Sequence, residues 1–289
     1  MNNGPHNLRA AQAALTKLHA RGDSPKTLKT AKRQRACSFI DEFQFASGRH
    51  VDMAGCEPGF LERGTRIKYG LASQLEDEGL LRSFDGGGRF GKLYTLTPRG
   101  KDLCFEFSPF KIFDPAKFGN KTIDHTLAAQ RFTLRALGHN FTSWFKGDRG
   151  NGGDSKGSKR PDIIFNRENG EFWAIEIERS AKKGRELDSF VEACVDYKRN
   201  EYDGIIIAFE SDSLQGYYAN QFRERVSSVK SWSHEEGEGW SCERYDINPS
   251  IWSRVFFVMV DDWETFFRPV VPKGFENVPM PEGLRMGRC

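Results

Sequence analysis

Apolar and polar residues alternate at helical spacing in the front of the chain. Residues 29–46 carry apolar side chains every three or four positions, which predicts an amphipathic helix with a basic N-terminal portion. Residues 65–79 predict a second helix. Its apolar face comprises Ile67, Leu71 and Leu75. Residues 80–103 then predict a strand, a glycine-rich turn, a returning strand and a closing helix.

This order of elements, two helices and then a hairpin with a basic glycine-rich tip, resembles a winged helix-turn-helix domain. The stretch LYTLTPRGKDL is similar to the segment that closes the wing in many such DNA-binding domains. The resemblance covers about residues 25–107 of a domain predicted at 25–108. It implies that the helix at 65–78 enters the major groove while the wing meets phosphates. The alternative is a protein-interaction or dimerisation module of the same fold. Residues 1–24 are then an N-terminal arm and 109–120 a linker.

Positive charge is concentrated in the front of the chain. Residues 1–120 hold 19 Lys and Arg against 13 Asp and Glu, whereas the remainder holds 24 against 27. Within residues 21–35, six basic side chains accompany one acid, which suits contact with a polyanion. Taken alone, such a run is usually a solvated face. The predicted DNA contacts are Lys29, Lys32, Arg33, Arg35, Arg66, Lys68, Arg89 and Lys92.

The back of the chain predicts a domain of helices and strands over residues 121–268. The predicted elements are a helix at 121–138, strands at 141–145, 161–165 and 171–178, a helix at 184–200, a strand at 204–209, a helix around 217–229 and a strand at 254–260. The strand at 204–209 is so apolar that it is expected at the centre of the sheet.

The strand at 171–178 carries two acids among apolar residues. Because side chains alternate along a strand, Glu176 and Glu178 share one face with Ala174. Asp162 begins the preceding strand, and the two strand ends are expected to converge. Hard carboxylate oxygens are the ligands that Mg²⁺ prefers, so these three acids predict a site for Mg²⁺ or Mn²⁺. The bland alternative is an exposed strand face.

The sequence Pro161-Asp162, thirteen residues and then Glu176-Ile177-Glu178 resembles the motif of the PD-(D/E)xK nucleases. The resemblance implies a restriction-endonuclease-like α+β core with a mixed sheet flanked by helices. It also implies a bound metal ion that neutralises charge on the scissile phosphate and lowers the pKa of a bound water. The family places a lysine where this chain has Glu178. Either Glu178 is a further ligand and Lys182 or Lys183 supplies the cation, or the site is degenerate.

A longer pattern resembles the C-class relaxases of mobilizable plasmids and the related replication-relaxation proteins. It joins the winged helix, a helix with His125 and Gln130, Arg-Pro-Asp, the E-x-E strand and S-x-K-x-G-R-x-L-D. The resemblance spans most of residues 25–210, and AIEIERSAKKGRELDSF is its most specific portion. It implies site- and strand-specific nicking of double-stranded plasmid DNA at an origin of transfer, with a divalent metal.

The resemblance also implies roles for individual residues. The catalytic acids or metal ligands are Asp162, Glu176 and Glu178, and the candidate cation is Lys182. His125 would orient a phosphate or water, although a lone helical histidine is more often structural. Arg185 would contact a phosphate or lie on the surface. Because relaxases of other classes attack with tyrosine, Tyr197 is a candidate nucleophile, which a metal-activated water would not need.

Two other function classes stay open. One is a noncatalytic winged-helix DNA-binding regulator of plasmid replication or transfer, and the other is a restriction or repair nuclease that cuts linear DNA. The six cysteines lack metal-ligand spacing, and neither a membrane-spanning apolar run nor a secretory signal occurs, which predicts a cytoplasmic protein. Residues 269–289 predict an extended tail, an arm for an accessory relaxosome protein or a coupling protein.

Overall fold

The computed structural model describes residues 25–56, 67–104, 113, 119–137, 141–146, 160–167, 169–199, 202–235 and 239–261. The chain divides into two compact units, Met1–His139 and Asn140–Cys289. Helices and small sheets make up the described residues, so the protein is of the mixed α and β class, as predicted. No helix among these residues is long and apolar enough to cross a membrane. The predicted arm, most of the predicted linker and the predicted tail lie outside the described residues.

The first unit packs helices against a small antiparallel sheet. Its elements are α1 (Pro25–Phe43), β1 (Ala46–Ser47), α2 (Gly48–Ala54), α3 (Leu71–Asp77), β2 (Leu81–Asp85), β3 (Lys92–Leu96), α4 (Pro98–Lys101) and α5 (Asn120–Ala136). The strand order is β1-β3-β2. Leu81 pairs with Leu96 in the hairpin, and Ala46 pairs with Tyr94 on the other side of β3.

Short-range signals set the junction between α1 and α2. Gln44 follows the last residue of α1 in the left-handed conformation, at φ 73°, and such a residue ends a helix. Ser47 then caps α2, because its hydroxyl accepts a hydrogen bond from the backbone N–H of His50 at 3.2 Å. The short strand β1 therefore lies between two defined helix ends.

Helix α3 takes its N-terminal cap from a neighbouring helix. Gly70 occupies the capping position at φ 103° and has no side-chain acceptor to offer. Asp52 of α2 supplies one: its buried carboxylate accepts from the backbone N–H of Leu71 at 2.7 Å and from those of Gly70 and Ala72 at 3.3 Å. One carboxylate thus satisfies several of the N–H groups that a helix start leaves unpaired.

Helix α5 packs on the first unit. Gln130 is fully buried, its amide donates to the carbonyl of Phe45, and its oxygen lies 2.7 Å from Nδ1 of His50. Ile123 joins the same apolar cluster as Phe45 and Leu93. The sequence predicts a second domain that begins at residue 121, whereas in the structure Ile123 of α5 packs against Phe45 and Leu93 of the first unit. The division of the structure accordingly falls between residues 139 and 140.

The second unit is built on a mixed five-stranded sheet. Its elements are β4 (Phe141–Lys146), β5 (Ile163–Arg167), β6 (Phe172–Glu178), α6 (Gly184–Arg199), β7 (Gly204–Phe209), α7 (Asp212–Arg223), β8 (Ser228–Glu235), β9 (Gly239–Asp246) and β10 (Val255–Met259). The sheet order is β10-β7-β6-β5-β4. Strands β4, β5 and β6 are antiparallel, whereas β6, β7 and β10 run parallel. Strands β8 and β9 form a separate hairpin.

The centre of this sheet is buried. Every residue of β7 is buried, as the sequence predicts for a central strand. Ala174, Ile205 and Ile207 pack in one apolar cluster with side chains of α6 and α7. Trp173, which alternation places on the opposite face, stacks on Phe256 with ring centroids 5.5 Å apart. Each such large apolar side chain stabilises the fold by about 1.5–3 kcal/mol when fully buried.

Four elements differ from the sequence prediction. The helix predicted at 65–79 is confined to Leu71–Asp77, because Gly70 in the left-handed conformation precedes its first turn. The helix predicted around 217–229 runs from Asp212 to Arg223, because Ser211 caps its start and the chain then turns into β8. The hairpin of β8 and β9 was not predicted, since most side chains of β9 are exposed and give no alternating apolar pattern. Helix α2 was not predicted either, because seven residues are too few for a periodic signal.

Candidate active site at the ends of strands β5 and β6

The ends of β5 and β6 bring two of the predicted acids onto neighbouring strands. Ile163 pairs with Ile175 in the antiparallel ladder, so Asp162, one residue before β5, reaches the level of Glu176. The carboxylate of Asp162 accepts a hydrogen bond from the backbone N–H of Ile177 at 2.8 Å. Asp162 is therefore held against β6 beside Glu176.

Glu176 is buried beneath helix α6. Only 1% of its surface is exposed, and the hydroxyl of Tyr197 donates a 2.6 Å hydrogen bond to its Oε1. Burial, and next the negative charge of Glu176, raise the pKa of Tyr197 above its ordinary value, with a smaller contribution from Asp162. The phenol therefore keeps its proton and fixes the carboxylate. Tyr197, the candidate nucleophile of the sequence, is therefore buried and hydrogen-bonded to Glu176.

Glu178 is buried next to the loop that follows β6. Only 2% of its surface is exposed. Both carboxylate oxygens accept hydrogen bonds from Nζ of Lys182, and Tyr218 of α7 donates to Oε2 at 2.9 Å. The Lys182 ammonium also lies over the ring of Phe190, 4.7 Å from its centroid. A buried carboxylate needs a partner, and Lys182, four residues later, neutralises the charge of Glu178.

Two consecutive tyrosines tie this loop to helix α7. The hydroxyl of Tyr218 accepts from the backbone N–H of Lys182 at 3.2 Å, and that of Tyr217 donates to the carbonyl of Lys182 at 2.6 Å. Neither tyrosine is among the site residues that the sequence predicts. A tyrosine on the apolar face of a predicted helix signals that a polar partner lies beneath it, because a buried hydroxyl has to be hydrogen-bonded. Sequence spacing does not say which partner.

The carboxylate oxygens of this site are of the type that binds a divalent cation such as Mg²⁺. Asp162 and Glu176 offer hard carboxylate oxygens from adjacent strands. Glu178 has its charge balanced by Lys182. Within the described part of the chain, no group of three or more His, Cys, Asp and Glu side chains is placed to hold a metal ion. A metal at this place would therefore rest on two carboxylates and complete its shell with water or phosphate oxygens, as Mg²⁺ commonly does.

Two further predicted residues lie outside this group of contacts. His125 is half-buried on α5, in the first unit. The guanidinium of Arg185, at the start of α6, lies 3.7 Å from the ring centroid of Trp240 in β9. Trp240 is 53% exposed and its ring also meets His234. Arg185 thus has an aromatic partner, Trp240, that the sequence does not predict.

The basic residues predicted to bind DNA differ in their surroundings. Lys29 and Lys68 are exposed, and Lys32 is half-buried. Arg35 donates to a backbone carbonyl just beyond the end of α2 at 2.8 Å. Arg66 lies outside the described residues. Lys29 and Lys68 are therefore accessible to an outside partner.

Three more of the predicted contacts pair with acids of the first unit. The pairs are Arg33 with Glu78, Arg89 with Asp124, and Lys92 with Glu76. The side chains of Arg89 and Lys92 are 70% and 54% exposed. Hydrogen bonds from Lys92 and Ser83 lower the pKa of Glu76, so this acid stays ionised. Exposed pairs of this kind stabilise weakly, and a phosphate can replace the acid.

Comparisons with protein-family models, with curated proteins and with solved structures give no match for this chain.

Proposed function

We propose that the protein is a metal-dependent DNA endonuclease that nicks one strand of double-stranded plasmid DNA at an origin of transfer. One observation carries the proposal: Asp162 and Glu176 lie side by side on adjacent strands of a mixed sheet, and a helix joins β6 to the parallel strand β7. In a PD-(D/E)xK nuclease the acids stand at the corresponding strand ends. The succession of three antiparallel strands, a helix and a parallel strand supports that fold.

In this proposal Asp162 and Glu176 hold the metal. When bound, Mg²⁺ or Mn²⁺ would neutralise charge on the scissile phosphate and activate a water for attack. Tyr197 fixes the carboxylate of Glu176, and its burial favours water over tyrosine as the nucleophile. In this proposal Lys182 supplies the ammonium group. The nuclease motif has its lysine on the strand, at the position of Glu178. Glu178 holds that ammonium beside the site.

The first unit would bind the DNA duplex as a winged helix-turn-helix. The succession α1, β1, α2, α3, β2, β3 and the sheet order β1-β3-β2 support this fold. Helix α3 would enter the major groove, with exposed Lys68 just before it, and the β2–β3 hairpin would be the wing, with Arg89 at its tip. Phosphates would take over Arg89 from Asp124, because an exposed ion pair holds it only weakly.

Nicking of supercoiled DNA tests the enzymatic proposal. Wild-type protein and a supercoiled plasmid that carries an origin of transfer should yield relaxed circles with Mg²⁺ or Mn²⁺. Glu176→Gln keeps an oxygen for Tyr197 but loses the charge, so we expect nicking to fall at least about a hundredfold while DNA affinity persists. Glu186→Gln, an exposed acid on α6, is the matched control and should nick normally. Equal nicking by Glu176→Gln and wild type would refute the proposal.

Calorimetric titration with Mn²⁺ tests the metal separately from the reaction. We expect Asp162→Asn and Glu176→Gln to abolish the binding heat, and Lys182→Met to keep it while nicking is lost. A binding heat that is the same in Asp162→Asn and in wild type would exclude Asp162 as a ligand. Efficient cutting of linear DNA without an origin would instead indicate a restriction or repair nuclease.

The salt dependence of DNA affinity tests the first unit. Replacement of Lys29 or Lys68 by Gln should weaken binding to any sequence and lower the slope of log affinity against log salt by about one per lost phosphate contact. Arg223→Gln removes one exposed cation of the second unit and should leave the slope unchanged. Unchanged slopes for both lysine variants would remove these residues from the DNA interface.

The second candidate function is a noncatalytic DNA-binding regulator. Two observations favour it: Glu178 stands where a nuclease carries its lysine, and no three acids among the described residues are placed to hold a metal ion together. Such a protein would bind origin DNA as tightly as the enzyme does, yet show neither an Mn²⁺ heat nor relaxation of supercoils.

A further inference from the structure

Tyr218 lies at the centre of a network that joins β6, the loop after it and helix α7. Its hydroxyl is 2.9 Å from Oε2 of Glu178 and 3.2 Å from both the backbone N–H of Lys182 and the carbonyl of Ser180. A phenol has one hydrogen to donate and accepts with its lone pairs. The Tyr218 hydroxyl therefore donates its hydrogen to Glu178, which is nearer than Ser180 and charged, and accepts a hydrogen bond from the backbone N–H of Lys182.

The ring of Tyr218 is fixed by aromatic neighbours. Tyr218 is fully buried, and its centroid lies 5.6 Å from that of Phe190, 5.3 Å from that of Phe209 and 5.4 Å from that of Tyr217. Phe190 also lies beneath the ammonium of Lys182. These ring contacts fix the position of the Tyr218 hydroxyl, and the hydrogen bonds to it hold the Glu178 carboxylate and the Lys182 backbone N–H in place.

We propose that Tyr218 is a positioning residue that sets where the Lys182 ammonium stands. The Tyr218 hydroxyl accepts a hydrogen bond from the backbone N–H of Lys182. It also donates to Glu178, whose carboxylate binds the ammonium group at the end of the Lys182 side chain. A lysine has a long flexible stem, so only contacts at both ends restrict it to one geometry. That Lys182 then acts on a phosphate rests on the proposed nuclease function, where small displacements of a catalytic group reduce the rate strongly.

Chemical acetylation tests the positioning without any need for activity. Limited acetylation followed by mass spectrometry measures the reactivity of Lys182 against that of exposed Lys183, the internal reference. Tyr218→Phe keeps the ring and loses the hydroxyl, so we expect the Lys182 to Lys183 ratio to rise about tenfold. Tyr197→Phe removes the equivalent hydroxyl from Glu176 and is the matched control, with no change expected in the ratio. An unchanged ratio in Tyr218→Phe overturns the inference.

The kinetics of nicking separate this inference from the proposed function. For Tyr218→Phe we expect kcat to fall about ten- to a hundredfold with KM for DNA unchanged, because a supporting residue orients the reacting group and does not bind the duplex. If wild type nicks and Tyr218→Phe keeps its kcat, the inference fails and the enzymatic proposal stands. If wild type does not nick, the enzymatic proposal fails and the acetylation ratio still decides the role of Tyr218. A melting curve verifies that the variant is folded.

Discussion

Glycine at position 204 allows Trp173 to lie across strand β7. The two residues pair in the parallel ladder of β6 and β7. A Cβ at position 204 would lie 2.4 Å from Cζ3 of the indole and 2.7 Å from Cη2. These distances are far inside van der Waals contact, so Gly204→Ala forces either the ring or the strand to shift.

The indole has little room to shift. It stacks on Phe256 at 5.5 Å, its Nε1 donates to Glu171 at 3.1 Å, and the guanidinium of Arg254 lies 5.2 Å from its centroid. Overpacking of a core costs about 1–3 kcal/mol, and the smaller freedom of alanine in the unfolded chain offsets about 0.4–1 kcal/mol of that. Because the ring is held on several sides, we expect Gly204→Ala to lower the free energy of unfolding by about 2 kcal/mol.

Tryptophan fluorescence during urea denaturation measures this change in the second unit, because all six tryptophans lie there. Gly216→Ala is the matched control. It is the same substitution at an exposed position of helix α7, where a Cβ would meet no atom within 4 Å. Alanine is the better helix former, so this variant should gain about 0.5–1 kcal/mol. A wild-type midpoint for Gly204→Ala, or a loss of stability in Gly216→Ala, would refute the reasoning.

Two further predictions concern carboxylates with defined partners. Asp52→Ala leaves the first N–H groups of α3 without their acceptor; we expect a loss of about 2 kcal/mol and faster amide exchange at Leu71, whereas Asp77→Ala on the exposed face should change stability by less than about 0.5 kcal/mol. Comparable exchange at Leu71 in the two variants would contradict this role for Asp52. Burial opposes ionisation of Glu171, but hydrogen bonds from Arg254 and other donors outweigh it and lower the pKa of Glu171 from 4.5 to about 2. Since the folded pKa is the lower one, the stabilisation is present above about pH 4.5 and is lost as the pH falls toward 2. Glu171→Gln should therefore be less stable than wild type by about 2 kcal/mol at pH 7 in urea denaturation, with a gap that closes in acid; a gap independent of pH would contradict this assignment.

Several features of the second unit follow from short-range pattern alone. The strands predicted at 161–165 and 171–178 are close in the chain, and as β5 and β6 they pair antiparallel across a turn that contains Asn169 and Gly170, with Gly170 at φ 86°. The apolar run of β7 predicts a central strand; β7 is completely buried and lies between β10 and β6, one position from the middle of the sheet. Alternation along β6 predicts that Glu176 and Glu178 share one face of the sheet. In the structure Glu176 accepts a hydrogen bond from Tyr197 of α6, and Glu178 accepts one from Tyr218 of α7. These predictions succeed because pleat, turn geometry and hydrophobicity act between neighbours in the chain.

Tertiary structure alone decides what covers those carboxylates. Tyr197 comes from 21 residues beyond Glu176, and Tyr218 from 40 residues beyond Glu178. The sequence of α5 does not show which unit covers its apolar face. In the structure Ile123 packs with Phe45 and Gln130 donates to the carbonyl of Phe45, so α5 belongs to the first unit. A buried charge needs a partner, but the period of a strand or helix does not name that partner. Long-range packing chooses it, and only a folded chain reveals the choice.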